Sequence, residues 1–216
     1  MNTKTTKRPS IEQVLSDSDP QLGKVIQVVI AQVGVRRIPP TSDSDFQSLV
    51  RAILLQRVSS KGARTIFEAL TKQARNRLTP ARVLALPVSS FRSAGVSSTK
   101  GTYIRNISKW FANNPRLAKS LPKRSDDEIA AHLTQIPGVG RWTVNVFLIF
   151  QLQRLDVLPA DDNGIRRGLQ LAAGLKGIAS PAQVAERAEQ WRPYRSIASM
   201  YLWTAVKLGI TARDLR

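Results

Sequence analysis

Apolar positions recur at helical spacing along almost the whole chain. Leu22, Val25, Ile26, Val29, Ile30 and Val33 fall at i, i+3, i+4 intervals and mark one face of a helix. The segment is rich in β-branched residues, which favour strands. A half-buried strand needs strict alternation, however, and this stripe does not alternate, so the period decides for helix. Phe46, Leu49, Val50, Ile53 and Leu54 repeat the pattern, as do Ile66, Phe67 and Leu70, and later Tyr103, Ile104, Ile107, Trp110 and Phe111. Helix starts are marked where the stripes begin. Thr79-Pro80 and Ser180-Pro181 each place a capping hydroxyl before a first-turn proline. Ser125-x-x-Glu128 and Ser180-x-x-Gln183 fit the reciprocal capping box. There is no Asn-Gly hairpin, internal repeat or long linker. The pattern predicts an all-α fold.

Charge adds a partner to this picture. The chain of 216 residues holds 33 Lys+Arg against 15 Asp+Glu, a net +18. Such an excess is the footprint of a binding partner with many phosphates. The basic residues are spread along the chain rather than along one amphipathic helix, which speaks against a membrane surface. The apolar runs, such as "VNVFLIF" (Val144–Phe150), are far shorter than the roughly 20 residues that span a bilayer. The opening "MNTKTTKRPS" has charge but no apolar stretch, so it reads as a disordered basic tail over residues 1–10 rather than a signal peptide. These features predict a soluble intracellular protein.

The absence of cysteine narrows the chemistry. It excludes disulfides, thiolate nucleophiles and an iron–sulfur cluster. A single histidine, His132, speaks against a Ser–His–Asp triad and leaves no multi-histidine metal site. Catalysis would have to run on carboxylates, amines or backbone groups.

Two segments carry candidate chemistry. In "LTQIPGVGRWTVNVFL" (Leu133–Leu148) a helix led by the Ser125 box ends near Gln135. Pro-Gly-Val-Gly makes a turn, and a second apolar helix starts at about Arg141. Closely spaced glycines let the backbone approach another surface, and the next helix presents N–H groups and its positive end. Together these form a phosphate-binding element. An ordinary αα-turn also favours glycine; the proline lead-in, the two flanking helices and the +18 charge favour phosphate binding. The second segment is "LPADDNGIRRG" (Leu158–Gly168), where Asp161 and Asp162 stand as a loop becomes a helix with Ile165, Leu169 and Ala172 on one face. From the residues alone, one aspartate is a candidate N-cap, and a purely structural role for both stays open.

"IPGVGRWTVN" followed by "LPADDNGIRRG" resembles the helix–hairpin–helix DNA glycosylase superfamily of base-excision repair. The 20 residues from Trp142 to Asp162 match the spacing of its 3-methyladenine DNA glycosylase II branch. "FQSLVRAILLQRVSSKGA", "GVSSTKGTYIRNISKW" and "AERAEQWRPYRSIASMYLW" resemble, in order, the branch's helix with its wedge loop, the glycine-led helix after it and the C-terminal segment that closes the base pocket. The likeness runs from about Asp45 to Trp203, most of the chain. It implies a compact form without the N-terminal β domain that some branch members have. It implies two helical lobes with an active-site cleft between them. An internal lobe over 43–150 includes the helix–hairpin–helix at about 126–150. A second lobe, 11–42 plus 151–216, carries the aspartate loop and the pocket-closing helix.

The resemblance also assigns roles. Asp162 is the catalytic carboxylate and Asp161 the helix cap or loop orienter. Strand-cleaving members carry a lysine where this chain has Trp142, so the implied enzyme is monofunctional and leaves an abasic site. Trp142 and Trp203 become pocket residues, although packing is the ordinary reading of tryptophans on helices. Trp110 and Trp191 remain packing residues. Val146, Asn163 and Gly164 complete the pocket; they are smaller than the residues of better-known members, which implies a roomier, less aromatic pocket. Arg57, beside Gln56, holds the wedge position, with a solvent-facing arginine as the other reading. Gly138, Gly140 and Thr143 are the implied phosphate contacts. The carbonyls of Thr134, Ile136 and Val139 are the implied ligands of a structural Na+ or K+, with no other cofactor expected. The implied partner is double-stranded DNA carrying alkylated bases such as 3-methyladenine or 7-methylguanine, and the implied state is a monomer. It would work at the nucleoid of a bacterial cytoplasm or in a eukaryotic nucleus. The rivals are a noncatalytic helix–hairpin–helix DNA-binding protein and a uracil or thymine mismatch glycosylase.

Overall fold

The computed structural model describes residues 9–216. The first eight positions of the expected basic tail lie outside the described residues. Among those described there are helices and turns and no strand. In chain order the helices are α1 (Ile11–Ser18), α2 (Pro20–Val33), α3 (Asp45–Leu55), α4 (Ser60–Gln73), α5 (Pro80–Ala85), α6 (Val88–Ser93), α7 (Ser98–Asn113), α8 (Pro115–Ser120), α9 (Asp126–Leu133), α10 (Arg141–Phe150), α11 (Asn163–Ala173), α12 (Pro181–Ala188) and α13 (Arg195–Leu208). The chain divides into two compact units, residues 40–153 and residues 1–39 with 154–216.

The 40–153 unit is organised on α3. Ser44 and Gln47 start it with a reciprocal capping box. Its apolar stripe, Phe46, Leu49, Val50, Ile53 and Leu54, is buried, and the helix packs against α4, α7 and α10. Each such side chain contributes about 1.5–3 kcal/mol on leaving water. The Arg51 guanidinium pairs with Asp43 and lies over the Phe67 ring, 3.5 Å from its centre. From Thr143 to Ile149, α10 is buried at every position. A helix that is apolar all round belongs in an interior, and its neighbours α3 and α9 flank it. The Ser125–Glu128 capping box forms at the start of α9, and α9 ends at Leu133.

In the other unit, α2 packs against α1, α11 and α13, and α13 against α11. The β-branched stripe of α2 folds as a helix, with Leu22, Val25, Ile26 and Val29 buried; it reaches solvent at Val33, which is 44% exposed. Asp19 is only 1% exposed. It caps α2 by accepting the Leu22 N–H at 3.1 Å. It also receives the Trp191 indole N–H at 2.8 Å and two bonds from Arg187 at 2.8 and 2.5 Å. This buried knot ties α2 to α12 and to the turn at Trp191, and gives Trp191 its packing role. Glu12, also buried, accepts the Tyr201 hydroxyl at 2.9 Å and pairs with Arg37.

Candidate active site

The aspartate loop is strapped to α13 at both ends. At its stem, Ser196 N–H donates to the Leu155 carbonyl at 2.9 Å, and Val157 N–H donates to Ser196 Oγ at 3.0 Å. Arg195 pairs with Asp156 at 2.7 Å. At its tip, a turn closes as Asp162 N–H donates to the Pro159 carbonyl at 2.9 Å. That turn leaves Asp162, at φ −65 and ψ 127, as the extended residue before α11. Asp162 Oδ1 accepts the Ile165 N–H at 3.0 Å and the Trp203 indole N–H at 2.8 Å. The cap of α11 is therefore Asp162, where Asp161 was expected. Asp161 sits one position too early, inside the turn, and is exposed. One carboxylate combines the capping bond with the indole bond, and both fix its direction.

Gly164 explains how the indole reaches Asp162. A Cβ there would stand 2.8 Å from Trp203 Cδ1 and 3.0 Å from Asp162 Oδ1. Trp203 fills the space that a side chain at 164 would take. The small residue at 164 admits Trp203 beside Asp162. Asn163, the first residue of α11, is exposed. A depression of about 400 Å3 on the same unit, lined by Leu169, Gln183 and Arg187 among others, shares no residue with this group.

The 40–153 unit carries the hairpin. After α9, Ile136 N–H donates to the Leu133 carbonyl at 3.1 Å and Val139 N–H to the Ile136 carbonyl at 2.9 Å. Gly138 takes φ +98, and a Cβ on it would lie 2.1 Å from Tyr103 Cγ. The turn therefore needs glycine twice, for its dihedral and for the ring beneath it. Asn106 Nδ2 donates to the Pro137 carbonyl at 3.2 Å. Gly140 caps α10 without a side-chain bond, is exposed, and has nothing within 4 Å of where a Cβ would point. It leaves the N-terminus of α10 open to an anion.

Two of the residues read as DNA contacts turn their side chains inward. Thr143 is 1% exposed and Gln56 is half-buried. Gln56 Nε2 donates to Thr143 Oγ1 at 3.1 Å and to the Gly138 carbonyl at 3.3 Å. Thr143 lies on the buried face of α10, so its hydroxyl serves the interior and Gln56 braces the hairpin. Arg57, next along, is exposed and takes φ +54. A positive φ is uncommon away from glycine, and such strain gathers at binding and catalytic sites. Trp142 is half-buried in the first turn of α10, and Val146 is 6% exposed on its buried side.

Sequence reasoning passed over Lys100. Its ammonium donates to the carbonyls of Leu54 and Gln56 at 2.8 Å each. Burial pushes its pKa below the usual lysine range. The partners lie 46 and 44 positions away, so no local spacing signals them.

At the end of α9 the Ile136 carbonyl accepts the Val139 N–H, while those of Thr134 and Val139 accept no hydrogen bond among the described residues. Carbonyls at a helix C-terminus carry partial negative charge, and Thr134 is the C-cap of α9. No group of three or more His, Asp or Glu among the described residues could hold a metal ion. No helix among them is long and apolar enough to cross a membrane.

Comparison with known proteins covers most of the chain. Residues 50–193 match the profile of the HhH-GPD superfamily base excision DNA repair protein. DNA-3-methyladenine glycosylase 1 of Schizosaccharomyces pombe is 33% identical over 174 residues, 79% of this chain and 76% of that protein. The solved structure of the S. pombe 3-methyladenine DNA glycosylase in complex with abasic DNA aligns with a TM-score of 0.83 at 29% identity, covering 91% of this chain and 96% of that one. A DNA-3-methyladenine glycosidase of Bacillus halodurans aligns with a TM-score of 0.75 at 28% identity, covering 95% and 94%.

Proposed function

The chain belongs to the HhH-GPD superfamily of base excision DNA repair proteins, and we propose that it is a monofunctional glycosylase that excises alkylated bases from double-stranded DNA. The names of its relatives support the substrate class. The observation that carries the reaction is the fixed carboxylate of Asp162, held through Oδ1 by the Ile165 and Trp203 N–H groups.

Glycosidic cleavage passes through an oxocarbenium-like transition state. Alkylation places positive charge on the purine, so the base leaves with the electron pair of the C1′–N bond and needs little acid assistance. A single carboxylate facing the sugar can then stabilise the developing cation and guide water to C1′. The water oxygen forms the new bond, its proton passes to solvent, and an abasic site remains. Trp142 stands where a Schiff-base lysine would be needed for strand cleavage and offers no amine. The indole face of Trp203, with Asn163 next to Asp162, receives the flipped cationic base. Gly138 shapes the turn, and Gly140 with the open end of α10 grips a phosphate. Arg57 fills the space that the flipped base leaves. The carbonyls of Thr134, Ile136 and Val139 would hold a monovalent cation that stiffens the turn.

The test is Asp162→Asn. Asparagine caps a helix as well as aspartate does, so the fold and DNA affinity should survive. Single-turnover excision should fall by several hundredfold to about a thousandfold, the upper scale on which an aimed electrostatic group acts. Full activity in that variant refutes the assignment. Borohydride should trap no covalent adduct between the wild-type protein and damaged DNA.

A further inference from the structure

We propose that Lys100 is a positioning residue for base flipping, holding the Arg57 loop in register with the hairpin from one face of α7. The proposal rests on the reading of Arg57 as the wedge.

The face consists of Lys100, Tyr103 and Asn106, spaced at i, i+3 and i+6. Side chains three apart are neighbours on a helix, so the three form a continuous row along one flank of α7. Lys100 holds the loop through the carbonyls of Leu54 and Gln56, the second being the residue directly before Arg57. Tyr103 seats Gly138, and Asn106 bonds the Pro137 carbonyl. Gln56 closes the circuit, since its backbone is held by Lys100 and its side chain holds Gly138 and Thr143. One helix face therefore grips both the loop and the phosphate-facing turn.

The loop needs an outside brace. From Arg57 to Ser60 every residue is exposed, and Arg57 has the left-handed backbone. A sparsely populated backbone state persists only when its surroundings over-determine it. A wedge that unstacks a base pair must also withstand the reaction of the stack. Lysine suits the task because charged donors make the stronger hydrogen bonds, and one ammonium can serve two carbonyls. Burial disfavours the charged form of Lys100, so these carbonyl bonds are held against a desolvation cost.

The experiment uses the full chain and a duplex with 7-methylguanine beside 2-aminopurine, whose fluorescence rises on unstacking. Wild type, Lys100→Met, Arg57→Ala, the double variant and Lys100→Arg are compared for flipping, single-turnover excision and affinity for undamaged duplex. In Lys100→Met, flipping and excision should slow between about ten- and a hundredfold, the scale of loss when a group is misplaced by an ångström. Undamaged-duplex affinity should stay unchanged. The double variant should be no slower than the slower single variant, because both act through one element. Lys100→Arg, which can also donate to two carbonyls, should recover part of the rate. Wild-type flipping in Lys100→Met, or losses that multiply with those of Arg57→Ala, overturns the proposal. If Lys100→Met does not fold, Gln56→Leu cuts the opposite tie and carries the same expectation for flipping and excision. A wild-type protein that flips but releases no base contradicts the glycosylase reading and leaves the brace measurable by fluorescence. A wild-type protein that gives no flipping signal overturns the brace as well.

Discussion

Each unit of this protein has a glycine facing an aromatic ring where a Cβ would stand. The missing Cβ would lie 2.8 Å from Trp203 at Gly164 and 2.1 Å from Tyr103 at Gly138. The backbones differ. Gly164 is in the first turn of α11, with a helical backbone open to any residue, whereas Gly138 takes φ +98. The rings differ too. Trp203 gives its indole N–H to the carboxylate of Asp162, so close approach there creates a hydrogen bond at the proposed reaction centre. Tyr103 serves as a seat that shapes a turn. The same device, a side chain omitted to admit a ring, acts on chemistry in one unit and on backbone form in the other.

That contrast can be broken at either end. After Asp162→Asn, the largest effect is expected at Gly164→Ala. Alanine favours the helix, so the added methyl acts mainly by pushing the indole off Asp162. Turnover should fall about a hundredfold, read by single-turnover excision, with undamaged-duplex affinity unchanged. An unchanged turnover would mean that the indole bond does not orient the carboxylate. A smaller effect on excision is expected at Gly138→Ala, where both the dihedral and the ring resist the methyl. The cost should be about 1–3 kcal/mol of stability. Duplex affinity, read by fluorescence anisotropy, should weaken by about tenfold as one phosphate-gripping element deforms, while excision at saturating protein changes little. A loss confined to turnover would reverse the assignment of the two glycines.

The smallest effect on excision is expected at Asp19, which lies outside both sites. Burial alone would raise its pKa, but bonds from Arg187, Trp191 and Leu22 outweigh it and hold the carboxyl below the ordinary carboxylate range. A carboxyl lowered on folding stabilises the native state above its unfolded pKa, and that stabilisation is lost as pH falls through the folded pKa. Asp19→Asn should therefore flatten the fall of Tm at and below about pH 4, the usual aspartate value, and leave excision at neutral pH intact. A Tm profile parallel to the wild type would contradict the shift.

Periodicity and caps are legible in the sequence. The α2 stripe became a helix despite its β-branched residues, because spacing of apolar positions outweighs local propensity when a face is buried. The boxes at Ser125 and Ser180 formed because both partners lie within one turn. The cap of α11 was not legible. Asp161 and Asp162 are chemically identical neighbours, and the Pro159 carbonyl, by bonding the second N–H, decides which is extended. Nor was the inward turn of Gln56, whose partner Thr143 lies 87 positions away. The same holds for Trp203, 41 positions from Asp162. Local chemistry can be read from spacing, whereas contacts set by tertiary packing leave no mark in spacing.

The most direct measurement of the central claim is analysis of the bases released by the wild-type protein from methylated DNA and from U:G and T:G duplexes. Release of 3-methyladenine or 7-methylguanine, with the uracil and thymine duplexes left intact, is the predicted result. Release of uracil or thymine in their place, or of no base from any duplex, would contradict it.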